Sequence, residues 1–266
     1  MAPRTQQQKA ADFRALHDGE AFVIPNPWDA GSARILAALG FQALASTSGG
    51  FAMTLGRLDG AVTLDEVADH TRVLDQATDL PVSVDLENGY GPAPEDAARA
   101  ITSAARAGAV GGSIEDYDPQ DGIYPIDHAA ERVAAASEAA KRLDFPFTLT
   151  ARAENHFRKN PDLDDTIVRL QAYERAGADV LYAPGLGDNV EQIRAVCEAV
   201  AKPVNVLAHP RLTMGEIAEA GGRRISVGSG LAWIALGAMV TAAEQMRDQG
   251  DFSAMNVRIP VKEWLS

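Results

Sequence analysis

With 266 residues, 46% hydrophobic and 23% charged, the chain has the length of one large domain and an ordinary globular composition. Its formal net charge of -13 argues against nucleic acid and acidic membranes as partners, and it requires that an anionic substrate be met by a local cation, either a metal or an arginine. The lone Cys197 excludes a disulfide framework, and neither an apolar leader nor an apolar run of the ~18 residues a membrane span needs is present, so a cytoplasmic protein is expected.

Residues 1–20 predict a helical extension, and from there strand-like and helix-like stretches alternate. Short, nearly continuous apolar runs predict strands over 21–24, 43–47, 82–85, 112–115, 147–152, 180–183, 204–208 and 225–228. Amphipathic patterns predict helices over 30–39, 64–78, 94–107, 127–143, 162–176, 189–200, 213–220 and 231–249. Thr63 with Glu66 and Thr213 with Glu216 have capping-box spacing. Gly40, Gly108, Gly177 and Gly221 each stand between a helix and the next strand, where a left-handed residue ends the helix. This is the pattern of a single (β/α)8 barrel domain over 1–266, with an N-terminal helix and a tail over 250–266. A doubly wound sheet is disfavoured because no GxGxxG follows the first strand.

Barrel chemistry sits at the C-terminal strand ends. Those ends carry Asn26 and Trp28, Ser48-Gly49-Gly50 with Asp59 soon after, Asp85 and Glu87, Glu115 to Tyr117, Arg152 to His156, Tyr182, Asn205 and His209, and Gly228 to Gly230. The recurrence of carboxylates at two strand ends suits a hard, oxygen-seeking cation such as Mg2+. A strand-end carboxylate can also be an ordinary helix cap, and the glycines a tight turn. The mouth reads as acid-rich with one central arginine, a setting for an anion held between a cation and a guanidinium. His17, His70 and His128 fall in helical patterns and read as solvated, and Cys197 as a small core residue.

Five segments in order resemble the isocitrate lyase/phosphoenolpyruvate mutase superfamily: NPWDAGSARI from Asn26, STSGG from Ser46, VDLENGYG from Val84, SIEDYD from Ser113 and TARAEN from Thr150. The resemblance implies a Mg2+ (or Mn2+) enzyme for a small 2-oxo or 2-hydroxy carboxylate, working through an enolpyruvate-like intermediate. It implies Asp85, Glu87 and Glu115 for the metal, with Glu87 where relatives usually carry Asp. It implies Trp28, Ser48, Gly49, Gly50, Asp85 and Arg152 for the substrate, and Asp59 as a group closing the pocket. The lyases' Cys-bearing loop after the fourth strand is replaced here by Tyr117 to Tyr124, without Cys, Lys or His, and the lysine- and asparagine-bearing gating loop of the mutases is missing as well. The expected activity is therefore lysis of a C–C bond in an oxaloacetate-like acid, with P–C chemistry or simple 2-oxo-acid binding as alternatives. The candidate proton donors are a metal-bound water, His209, and Tyr117 or Tyr124 in the short loop after the fourth strand; His209 is the expected one, because it follows the seventh strand on the metal's face and imidazole titrates near neutral pH. Relatives form dimers of dimers, often with a swapped C-terminal helix; a homo-oligomer is expected here, while the short tail argues against a swap.

Overall fold

The computed structural model describes residues 4–265. Eight parallel strands form the sheet: β1 (Phe22–Ile24), β2 (Leu44–Ala45), β3 (Val82–Asp85), β4 (Gly111–Glu115), β7 (Thr148–Arg152), β8 (Val180–Tyr182), β9 (Val204–Leu207) and β10 (Arg224–Ser226). Their order is β1-β10-β9-β8-β7-β4-β3-β2: the first strand pairs with the last, every other neighbour is consecutive within the sheet, and the two ends of the order, β1 and β2, approach one another. There the Ala45 amide donates to the Pro25 carbonyl at 3.1 Å. The Asn26 amide group donates to the Ser46 carbonyl, and its oxygen accepts from the Val227 amide, both at 2.9 Å. The strand ends thus close into a (β/α)8 barrel, and Asn26 is the clasp.

Helices α2 (Ala30–Ala38), α4 (Leu64–Ala77), α5 (Pro94–Arg106), α6 (Ile126–Lys141), α7 (Leu163–Ala176), α8 (Val190–Ala199) and α9 (Met214–Glu219) connect the strands. The capping boxes at Thr63 and Thr213 are formed. All four helix-ending glycines have φ between 90° and 106°. The principal core lies between these helices and the sheet, with Ile101, Leu149, Leu170 and Leu181 fully enclosed. A smaller core closes the barrel bottom. There α1 (Gln6–Asp18) lays Phe13 beneath Phe22, Ile24 and Val110, so close that a Cβ on Gly111 would stand 2.7 Å from the Phe13 ring.

Three features depart from the sequence reading. The Ser48-Gly49-Gly50 stretch opens an additional short helix, α3 (Ser48–Thr54), capped by Thr47. The segment after β4 folds into a hairpin, β5 (Tyr117–Asp118) with β6 (Gly122–Ile123). His17 and His70 are buried rather than solvated: His70 stacks on Phe51 at 3.9 Å and hydrogen-bonds the Trp28 carbonyl, while His17 lies under the barrel. Periodicity misplaced them because a helix face turned to the core carries whatever polar group finds a partner there.

Beyond β10, α10 (Gly230–Gln249) buries only Ala232 of its twenty residues. The chain then passes a 3-10 turn (Ser253–Met255) to α11 (Val261–Leu265), which returns to α2, where the Arg34 guanidinium donates to the Leu265 carbonyl at 3.1 Å. Among the described residues, no helix is long and apolar enough to cross a membrane.

Candidate active site

Parallel strands ending at one rim bring their last residues together. Arg152, ending β7, stands at the centre. Its Nη1 lies 2.9 Å from Asp85 Oδ1 at the end of β3, Nη2 contacts Glu115 at the end of β4, and Nε lies 3.2 Å from Glu154. Nε nevertheless has no aligned hydrogen-bond acceptor. Burial alone would lower the Arg152 pKa; Asp85 and Glu154 outweigh it and hold the guanidinium above its ordinary value. Burial pushes Glu154 upward, partly offset by Arg152 and Arg158.

Glu87 sits just past β3 with φ of 47°, in a turn that continues through Tyr90 at φ 62°. Burial, then the charges of Asp85 and Asp59, raise its carboxyl to about 7, and the Tyr90 hydroxyl faces it at 3.4 Å. Its amide donates to Asp85 Oδ1 at 3.2 Å, and its carbonyl accepts from the Glu115 amide at 2.8 Å, so the backbone links all three acidic positions.

On the opposite side, the Ser48 amide points at Asp85 Oδ2 from 3.4 Å. A Cβ on Gly49 would stand 2.8 Å from Ser229 Oγ and 3.4 Å from the Asp59 carboxyl, which places exposed Asp59 beside this turn. A Cβ on Gly50 would meet Thr47 at 2.5 Å and the Trp28 side chain at 3.1 Å, so Trp28 packs on the same turn. Nine of the ten expected site residues are thereby gathered about Asp85 and Arg152.

His209 stands apart. It lies on the same barrel face but lines a neighbouring, mainly apolar cavity of about 160 Å3 with Phe157, Leu186 and Leu207. The Arg211 amide reaches its Nδ1 at 3.4 Å, which leaves Nε2 to carry the proton in the neutral ring. Tyr124, an alternative donor, is buried and its hydroxyl is committed to Asp118 at 3.1 Å.

The mouth is not served by one arginine only. Arg158, from the loop after β7, lies 3.3 Å from Glu115 and 3.5 Å from Glu154, with its guanidinium 3.7 Å from the centre of the Tyr117 ring. Its spacing of four from Glu154 was the available signal. Behind them, buried Asp116 accepts from the Glu154 amide at 2.8 Å and from Arg169 at 3.1 Å, and so fixes the β7 loop to α7.

The family model for phosphoenolpyruvate phosphomutase matches residues 13–247. A solved structure from Burkholderia cenocepacia J2315, named only by class as a lyase or mutase, is 50% identical with a TM-score of 0.95, covering 98% of this chain and 96% of that one. The 2-methylisocitrate lyase of Halalkalibacterium halodurans is 31% identical over 82% of this chain and 75% of its own. The oxaloacetate decarboxylase of Chromohalobacter salexigens is 31% identical over 96% and 90%. With its barrel, its carboxylate-ringed Arg152 and these matches, the chain belongs to the phosphoenolpyruvate phosphomutase family and is an enzyme of the isocitrate lyase/phosphoenolpyruvate mutase superfamily of carbon–carbon lyases and their relatives.

Proposed function

We propose that this enzyme is a Mg2+-dependent lyase that cleaves a C–C bond of a small 2-oxo or 2-hydroxy dicarboxylate, an oxaloacetate-like acid yielding pyruvate. The observation that carries the reading is Arg152 at the centre of the mouth, ringed by Asp85, Glu115 and Glu154 yet with an Nε that has no aligned hydrogen-bond acceptor. A planar fork so placed matches a substrate carboxylate. The names of the two curated relatives support a 2-oxo or 2-hydroxy acid.

The acidic set fits a hard divalent cation. Asp85, Glu87 and Glu115 offer only oxygen, and Glu87 is held near pH 7 by burial and by negative neighbours that a cation would relieve. Among the described residues, no three His, Cys, Asp or Glu side chains converge as a closed ligand set. Mg2+ keeps several waters and takes one or two carboxylates directly, so the three need not all reach it at once. When bound, the metal supplies Lewis-acid stabilisation of oxyanion charge.

The chain's own residues then divide the work. Arg152 grips a substrate carboxylate, the Ser48-Gly49-Gly50 turn lines the far side of the anion, and Asp59 and Trp28 close that turn. As the C3–C4 bond of the acid breaks, its electron pair moves into an enolate and carbon dioxide leaves. A proton returned to C3, from His209 Nε2 on this reading, completes pyruvate. The decisive measurement is pyruvate release from oxaloacetate and from phosphonopyruvate, with Mg2+ and with EDTA, above the rate in Mg2+ alone. Turnover of oxaloacetate only is expected. Turnover of phosphonopyruvate instead would move the enzyme to P–C chemistry, and binding without turnover of either would make it a 2-oxo-acid-binding protein. Full activity in Asp85→Ala would sink the metal assignment.

A further inference from the structure

Beneath the ring of carboxylates lies an arginine that the foregoing reading leaves unused. Arg224 opens β10 and is buried inside the barrel. Its guanidinium is held by neutral groups: Nε donates to Asn205 Oδ1 at 2.8 Å, Nη2 donates to Thr150 Oγ1 at 2.9 Å, and Nη1 faces His17 Nε2 at 3.5 Å. His17 is itself kept neutral. Burial first, then Arg224, hold its pKa down to about 3. Its Nδ1 faces the Phe13 carbonyl at 2.9 Å and must carry the proton there, so Nε2 presents a lone pair to Arg224.

Among the described residues no carboxylate pairs with Arg224, and the Tyr182 hydroxyl is the one titratable group that favours its charge. The contrast with other buried arginines is direct. Arg169 has Asp116 and Asp165, and Arg152 has three carboxylates. Burial without a counter-ion pulls Arg224 down to about 10, which still leaves it charged at neutral pH. A buried charge that is hydrogen-bonded but not neutralised is a stability cost, and it calls for a compensating anion.

The cavity above supplies the place for one. Arg224 lines a space of about 70 Å3 together with Asp85, Arg152, Tyr182 and Asn205. Its surroundings are rigid: Asn205 Nδ2 donates to Ser226 Oγ at 2.9 Å, and the Tyr182 hydroxyl meets the same Ser226. We propose that Arg224 is a positioning residue of this site, a buried and internally uncompensated cation whose counter-charge is the bound acid anion and the enolate charge that develops from it. The proposal rests on the 2-oxo-acid reading of the cavity.

Oxalate, a planar dianion shaped like the pyruvate enolate, is the probe. It is titrated calorimetrically with saturating Mg2+ into full-length wild type, Arg224→Gln, Arg224→Lys and His17→Glu, with Tm measured on each. Arg224→Gln should weaken oxalate binding by about tenfold or more while Tm stays level or rises, and Arg224→Lys should keep most of the affinity. His17→Glu, which places a carboxylate beside Arg224, should raise Tm and weaken oxalate; a merely structural Arg224 would gain stability from that substitution with no loss of anion affinity. Wild-type binding that is unchanged by both Arg224→Gln and His17→Glu overturns this inference alone. Absence of oxalate binding by the wild type overturns the 2-oxo-acid reading and this inference with it.

Discussion

At the scale of single residues, the site is governed by charges that the fold forces together. Glu87 is the clearest case. Its carboxyl is raised to about 7 from an ordinary 4.5, first by burial and then by Asp85 and Asp59. An acid whose folded pKa exceeds its unfolded one favours the fold fully below pH 4.5, and that contribution is lost as pH rises through 7. At pH 8 without metal, the ionised Glu87 therefore costs up to about 3 kcal/mol. In EDTA, Glu87→Gln should raise Tm above wild type at pH 8, with the gap closing at pH 4.5, as thermal unfolding at the two pH values would report. Added Mg2+ should raise the wild-type Tm at pH 8 and much less at pH 4.5. His209 is judged by rate instead. His209→Gln should keep the fold and Mg2+ affinity but lose on the order of 10²-fold in kcat. Full activity across the pH range would hand the proton to water or to Tyr117. The residue lines its own apolar cavity, so its imidazole is partly shielded rather than set among the carboxylates.

Elements decide which of these residues can meet. The turn into α3 is tight because Gly49 lies against Ser229, whose hydroxyl is 2.8 Å from Thr47 Oγ1, where the residues that follow β2 meet the loop that follows β10. Gly49→Ala must displace Ser229 or the turn, a strain of about 1–3 kcal/mol by the usual cost of overpacking. Activity should fall with the fold retained, and the double variant Gly49→Ala/Ser229→Gly should recover much of it. Equal loss in the single and double variants would show that the added methyl obstructs the ligand rather than the seam. The hairpin β5–β6 shows the opposite economy. Asp118 accepts from the Gln120 and Asp121 amides, from Tyr124 and from Asn88, so this short loop is braced internally.

The whole molecule leaves one helix without a home. Trp233, Ile234, Met239 and Val240 on α10 are each at least half exposed, an apolar face that a chain of net charge -13 would not keep in water. A second copy is the expected cover, through an isologous pairing of α10. Light scattering behind size exclusion should find a dimer or tetramer, and Ile234→Asp with Met239→Asp should give a monomer; a monomeric wild type at micromolar concentration would end this reading. The sequence by itself determined the barrel, because strands buried on both faces recur along the chain and four of the helices between them end in glycine. It also determined the carboxylates, Arg152 and the Ser48-Gly49-Gly50 turn, because a barrel collects chemistry at strand ends that can be counted along the chain. Tertiary structure alone decided the rest. Arg158, Arg224 and the buried His17 are ordinary polar letters in a loop, a strand and a helix, and their meaning comes from partners 43, 19 and 207 positions away in the chain, which only the closed barrel brings within hydrogen-bonding reach.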